Sequence, residues 1–342
     1  MTENGSKNII DVKDLQVSFF TDSGVVRALN GVNFAIPQGK AIGVVGESGC
    51  GKTVTSYAVL QLLAKTAKIT QGTIQFQKRD GTVVDLTQYK PGSNEMRRIR
   101  GGEISMIFQE PMSSLSPVHT VYDQIAENLF LHKGINEKQA RERTVELLQL
   151  VGIPKAAERM DEYTFQFSGG MRQRVMIAMA LAPEPRVLIA DEPTTALDVT
   201  IQAQVLQLIK RMQEEFNLSL MLITHDLGVV AHMVDQVYVM YRGRVVEDAP
   251  VMEVFYEPRH PYTRGLLNSI PKLRGPRGKV ASIPGTVPDS YNLPSGCLFH
   301  PRCSQYIGEV CRQNVPQTRA VSANHRVSCF LYDETPDVQK EV

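Results

Sequence analysis

No apolar run in this chain approaches the roughly 18 to 20 residues that a bilayer-spanning helix needs. The densest, around residues 175–182, are short and broken by charge or proline. The sequence therefore predicts a chain that does not itself cross a membrane. Charge bias is also missing, since 37 Lys and Arg stand against 36 Asp and Glu for a net charge of +1. That balance argues against a dedicated nucleic-acid binder, which needs a strongly basic surface. The first residues are polar and mixed in charge, without the apolar core of a secretory signal, so a cytosolic location is expected. Cysteine is scarce, at five residues. In a reducing compartment these thiols are not expected to form structural disulfides, and clustered ones read as metal ligands or small buried hydrophobes. No internal repeat of useful length is visible.

What is present suits two unequal parts, because 342 residues exceed one ordinary compact unit. Short β-rich runs at 41–45, 187–190 and 218–224 are each followed by a turn signal and a helical pattern, which predicts a mostly parallel sheet flanked by helices. The first helix is expected to start at Thr53 and to continue through Tyr57, Leu60 and Leu63. Between about 102 and 181 the pattern turns helical. Asn136 with Gln139 reads there as a capping box, and Gly152 with Pro154 as the stop, so this stretch is expected to be a helical subdomain inserted into the sheet domain. A later helix carries Ile201, Val205, Ile209, Met212 and Phe216 on one stripe. From 271 to 296 proline and glycine take over, predicting a linker. Beyond it, 297–330 is too small and too poor in apolar residues to form a core without a cross-link.

The chemistry-bearing motifs follow this frame. Gly46, Glu47, Ser48, Gly49, Cys50, Gly51, Lys52 and Thr53 match the phosphate-loop pattern G-x-x-x-x-G-K-[ST] between a predicted strand and helix. Glycine there lets successive backbone N–H groups turn toward phosphate oxygens, and the helix N-terminus adds its positive end. Lys52 would neutralise the β- and γ-phosphates and the Thr53 hydroxyl would ligate Mg²⁺, while Cys50 reads as a small filler. The apolar strand at 187–190 ends in Asp191 and Glu192. Two adjacent carboxylates suit a metal-binding residue, Asp191, followed by a general base for the attacking water, Glu192. Gln109 follows another predicted strand, where its amide would reach Mg²⁺ or that water. His225 follows the strand ending at Thr224 and sits at the sheet's C-terminal edge, where α/β folds bind ligands; it could hydrogen-bond the γ-phosphate.

Phe167-Ser168-Gly169-Gly170-Met171-Arg172-Gln173-Arg174 resembles the signature sequence of ATP-binding-cassette ATPases, with Met171 where Gln is commonest, a variation the peptide-importer branch shares. Independently of that likeness, Ser168-Gly169-Gly170 opens a helix and reads as a second anion site. The resemblance implies an α/β P-loop NTPase of the RecA-like kind, in which two cassettes pair head to tail. Ser168, Gly169, Gly170 and Asp198 of one then close over the ATP of the other. It further implies that Gln109 couples the site, that His225 is a switch, that Thr195-Ala196-Leu197-Asp198 is the D-loop, and that Phe20 rather than Phe19 stacks on adenine. None of the catalytic positions is substituted, so an active hydrolase is expected.

His260-Pro261-Tyr262-Thr263-Arg264-Gly265-Leu266-Leu267 is similar to the segment that follows the cassette in oligopeptide, dipeptide and nickel importers. The implied organisation is a nucleotide-binding domain over 1–262 with its helical subdomain at about 103–181, a linker over 263–296, and a Cys-rich extension over 297–342. Cys297, Cys303, Cys311 and Cys329 lack the close pairs usual at zinc sites, and the tail resembles the cluster-bearing extension of some peptide-importer ATPases. A [4Fe–4S] cluster is expected, with zinc as the alternative. The basic residues Lys272, Arg274, Arg277 and Lys279 read as a solvated linker. Expected partners are a related second ATPase subunit, two permease subunits contacted near residues 109–117, and an external substrate-binding protein, with no nucleic acid. The chain would then sit peripherally on the cytoplasmic face of the membrane. Peptides lead as cargo, with nickel chelates or oligosaccharides as alternatives. Rival readings are a soluble cassette ATPase acting on nucleic acid or ribosomes, and a sensor centred on the tail.

Overall fold

The computed structural model describes residues 7–109, 114–195, 197–270 and 282–333. In chain order its elements are β1 (Asn8–Thr21), β2 (Gly24–Pro37), β3 (Ala41–Val45), α1 (Lys52–Val59), β4 (Ala67–Gln77), β5 (Val83–Asp85), α2 (Asn94–Gly102) and β6 (Ile104–Ile107). The helices α3 (Val121–Lys133), α4 (Glu137–Leu150), α5 (Ala156–Arg159) and α6 (Gly169–Leu181) follow. Next come β7 (Val187–Asp191), α7 (Val199–Glu215), β8 (Ser219–Ile223), α8 (Leu227–Met233), β9 (Gln236–Tyr241), β10 (Arg244–Pro250), α9 (Val251–Tyr256) and α10 (Pro261–Asn268). The tail adds α11 (Glu309–Gln313), β11 (Arg319–Ser322) and β12 (His325–Val327).

The strands form two sheets. One is antiparallel, in the order β2-β1-β4-β5, and the other runs β11-β12-β10-β9-β3-β8-β7-β6. Within the second, β9, β3, β8, β7 and β6 are parallel neighbours. Every residue of β3, β7 and β8 is buried, as expected for parallel strands covered on both faces. Alternation assigns the faces. Ile42, Val44, Val187, Ile189, Met221 and Ile223 pack toward the antiparallel sheet, whereas Leu188, Ala190, Leu220 and Leu222 join the helices on the other side.

The helical region is capped as its sequence predicts. Asn136 accepts from the Gln139 N–H, and the Gln139 side chain accepts from the Asn136 N–H. The region 103–181 nevertheless opens with β6, which belongs to the parallel sheet, so the inserted helices begin beyond it. Helix α1 is shorter than its apolar spacing suggests, because Gln61 turns left-handed at φ +53° and ends the turn. In α7, Val205, Leu208, Ile209 and Met212 are buried, while Phe216 lies at the cap and is exposed.

The largest departure is the tail. Residues 263–296 are not simply a linker, since α10 extends to Asn268, residues 282–296 lie against the cassette, and only 271–281, with the four basic residues, fall outside the described residues. The extension joins the main sheet, β12 pairing antiparallel with β10 at Glu247↔Val327 and Asp248↔Arg326. An unpaired β10 edge would leave backbone groups open, and the tail hairpin satisfies them. His325, buried, lies with Nε2 2.7 Å from Glu247 and Nδ1 3.2 Å from Glu253. Phe299 completes an aromatic cluster with Tyr241, Tyr262 and His260 at centroid distances of 5.2, 5.3 and 5.7 Å. A segment too small for its own core thus borrows that of the cassette.

Candidate functional site

A cleft of about 230 Å³ opens at the C-terminal end of β3, where the phosphate loop turns into α1. Gly46 adopts φ +153°, and a Cβ there would run into the Met240 carbonyl oxygen, so only glycine fits the turn. Lys52 is buried and its ammonium donates to the carbonyls of Gly46 and Glu47 at 2.8 and 3.2 Å. Cys50 packs inside the loop, its thiol pushed up chiefly by burial. The helix N-terminus and a buried ammonium together favour an anion.

Asp191 and Glu192, at the end of β7, serve different surroundings. Asp191 is buried, its Oδ1 has no hydrogen-bond partner, and the Thr53 hydroxyl donates to its carboxylate. Burial pushes its carboxyl up to about 6, Glu192 adds to the rise, and the Thr53 hydrogen bond and Lys52 oppose it. An orphaned buried carboxylate oxygen beside a threonine hydroxyl is what a hard cation with oxygen ligands would satisfy, so the residues fit Mg²⁺.

Glu192 takes the left-handed backbone conformation at φ +45°, held by its N–H donating to the Ile223 carbonyl at 2.8 Å. Such strain in a non-glycine residue is retained where surrounding structure enforces it. The conformation aims the carboxylate into a set of partners. Gln109 Nε2 donates to Oε2 at 3.2 Å, the Thr195 hydroxyl donates to the same oxygen at 3.0 Å, and His225 Nδ1 lies 3.2 Å from Oε1. Gln109 and Glu192 both line the cleft. The structure therefore brings together, from the ends of three parallel strands, the side chains that sequence singled out one by one.

The second anion element stands elsewhere. Ser168 caps α6 by accepting from the Met171 N–H at 3.4 Å, and Gly170 leaves room for Ile201, whose Cγ2 would lie 2.6 Å from an added Cβ. Asp198 caps α7 by accepting from the Ile201 N–H at 3.0 Å. Ser168, Gly169, Gly170 and Asp198 do not line the phosphate cleft of their own chain. Ala196 of the D-loop lies outside the described residues.

One expectation is corrected. Phe19, not Phe20, lines the cleft, while Phe20 is exposed with the Lys68 ammonium 5.7 Å from its ring centre. Neighbouring strand residues point to opposite faces, so only one of the pair can enter. Residues that sequence reading missed are Arg27, Arg242 and Ser290, which also line the cleft, and Arg302, which pairs with Glu47. They lie far from the loop in sequence and no local motif marks them.

The tail thiols converge without completing a site. The Cys297 N–H donates to the Cys311 carbonyl at 2.8 Å. Burial pushes the Cys329 thiol up to about 12, with Cys297, Cys303 and Cys311 adding to the rise. Among the described residues, however, no group of three or more His, Cys, Asp or Glu is set to hold a metal ion. The arrangement as it stands supports neither the iron–sulfur cluster nor zinc.

Two family models match the chain, "ABC transporter" over residues 29–195 and "Oligopeptide/dipeptide transporter, C-terminal region" over 246–311. The oligopeptide transport ATP-binding protein AppD of Bacillus subtilis is 49% identical over 327 residues, covering 95% of this chain and 97% of that protein. The dipeptide transport ATP-binding protein DppD of the same organism is 48% identical over 329 residues, covering 96% of each. Among solved structures, the dimeric bacterial ABC transporter cassette MJ0796 superposes with a TM-score of 0.62 at 27% identity, over 71% of this chain and 98% of that one. Fold, site and relatives agree that the chain belongs to the ATP-binding-cassette family, among the ATP-binding proteins that carry the oligopeptide/dipeptide transporter C-terminal region.

Proposed function

We propose that this chain is the ATP-hydrolysing subunit of a peptide importer, with Glu192 as the general base. The observation that carries the reading is the Glu192 carboxylate held among Gln109, Thr195 and His225 on the lip of the phosphate cleft. Thr53, Asp191 and Gln109 would hold Mg²⁺, which supplies charge neutralisation across the β- and γ-phosphates. Lys52 and the loop N–H groups bind the triphosphate, Glu192 takes the proton of the attacking water, and Gln109 and His225 orient water and γ-phosphate. Phe19 stacks on adenine.

Ser168, Gly169, Gly170 and Asp198 act on the nucleotide of a facing cassette, a related second subunit. Their position away from their own cleft supports this, as does the dimeric form of the similar solved cassette. Closure of the pair around ATP drives two permease subunits, because ATP binds the closed state more tightly than the open one. The names of the relatives support peptide cargo and hence an external binding protein. No helix among the described residues is long and apolar enough to cross a membrane, which favours peripheral attachment at the cytoplasmic face through separate permeases. The permease contact spans 109–117, of which 110–113 lie outside the described residues; the neighbouring Val118 is 73% exposed and offers an apolar surface. In domain terms, 1–262 is the cassette and 297–342 the Cys-rich extension. Cys297, Cys303, Cys311 and Cys329 of that extension are the thiols that would hold a [4Fe–4S] group, to be tested by iron content and visible absorbance of freshly purified protein.

Glu192→Gln tests the base directly. It should bind ATP with unchanged affinity and lose turnover by roughly 10²- to 10⁴-fold, the usual contribution of a positioned base. Near-normal hydrolysis would remove Glu192 from the role.

A further inference from the structure

Residue 302 lies beside Cys303 in the tail, yet its side chain ends in the phosphate loop. Arg302 is 4% exposed at the side chain, and its two terminal nitrogens donate to the two carboxylate oxygens of Glu47 at 2.7 and 3.0 Å. The fork is itself fixed, Nε donating to the Pro284 carbonyl at 3.0 Å and Nη1 to the Tyr241 hydroxyl at 3.4 Å. The Glu47 hydrogen bonds come first in holding the guanidinium more strongly protonated than an ordinary arginine.

Glu47 is gripped on its other sides too. Its N–H donates to the Tyr262 hydroxyl at 2.8 Å and its carbonyl accepts from Lys52 at 3.2 Å. The same C-terminal stretch reaches the far end of the loop, where Arg242 donates to the Ser290 hydroxyl at 2.7 Å and to the Gly49 carbonyl at 3.4 Å. A glycine-rich loop has many conformations to lose, and nucleotide affinity depends on how many are lost before binding. A bidentate, part-buried arginine–carboxylate pair is directional enough to remove them in advance.

We propose that Arg302 is a positioning residue of the nucleotide site: through Glu47 the C-terminal extension preorganises the phosphate loop, so ATP affinity depends on a segment outside the cassette. The inference rests on the nucleotide-site reading above and names the residue that tunes it. The test is MgATP affinity of the full chain by titration calorimetry for Arg302→Lys and Glu47→Gln, both of which keep bulk and break the fork. Each should weaken binding by about tenfold, the scale of one charge-assisted hydrogen bond. The double variant should be no weaker than the weaker single, because both remove one interaction. In the assembled transporter KM for ATP should rise while kcat stays within about threefold, a split that general destabilisation would not give.

Affinity within about twofold of the parent for both singles, or additive losses in the double, overturns the proposal. Lys52→Met separates the two levels. If it loses ATP while Arg302→Lys and Glu47→Gln keep it, Arg302 alone is misassigned; if Lys52→Met binds normally, the nucleotide-site reading itself falls.

Discussion

Acidification should destabilise this protein through His260, and the size follows from its surroundings. The imidazole is 1% exposed, accepts from the Tyr262 N–H at 3.0 Å as the cap of α10, and faces the Phe299 ring. Burial, with Arg264 adding, pushes its pKa down to about 3. An unfolded histidine titrates near 6.5. Between those values the unfolded chain binds a proton that the folded chain refuses, so stability is intact above about pH 6.5 and is lost as pH falls toward 3. The gap between those two values corresponds to about 5 kcal/mol over the whole window, as an upper figure. His260→Asn keeps a side-chain acceptor for the Tyr262 N–H and does not titrate. Urea unfolding at pH 7, 6, 5 and 4 should show the parent losing stability more steeply than the variant. Parallel profiles would mean that the folded chain does not refuse His260 its proton.

Other perturbations test other joints. His325→Ala removes one of the hydrogen-bond partners of the buried Glu247 carboxylate, which keeps the Arg259 and His260 N–H groups, and should cost about 1 to 3 kcal/mol while exposing the tail to protease; an unchanged melting temperature would contradict its docking role. Phe19→Ala should weaken ATP binding by about 1 to 3 kcal/mol in a nucleotide titration, the worth of a stacked base, and Phe20→Ala should leave it unchanged.

Why sequence spoke clearly in some places and not others is a matter of range. The phosphate loop, the Asp191–Glu192 strand end and the Asn136 capping box are local, each fixed by residues within a few positions. The gathering of Gln109, Glu192 and His225 was legible because parallel strands deliver their C-terminal ends to one edge. The choice between Phe19 and Phe20 was not, since it depends on which face of β1 meets the cleft at a strand with several register shifts. The pairing of β12 with β10 and the reach of Arg302 to Glu47 join residues dozens to hundreds of positions apart, and nothing in the tail's composition marks them. Proline and glycine signal irregular chain over 271–296, but irregular chain can still pack, as Ser290 in the described part does on Arg242.

In the proposed mechanism the triphosphate held at Lys52 and Thr53 is sealed by the Ser-Gly-Gly helix tip of a facing cassette. A structure of the assembled transporter carrying Glu192→Gln, trapped with MgATP, tests it most directly. Each γ-phosphate should lie within hydrogen-bond distance of Lys52 or its counterpart on one side and of Ser168 or its counterpart on the other. A nucleotide bound at the phosphate loop with that second side open to solvent would contradict it.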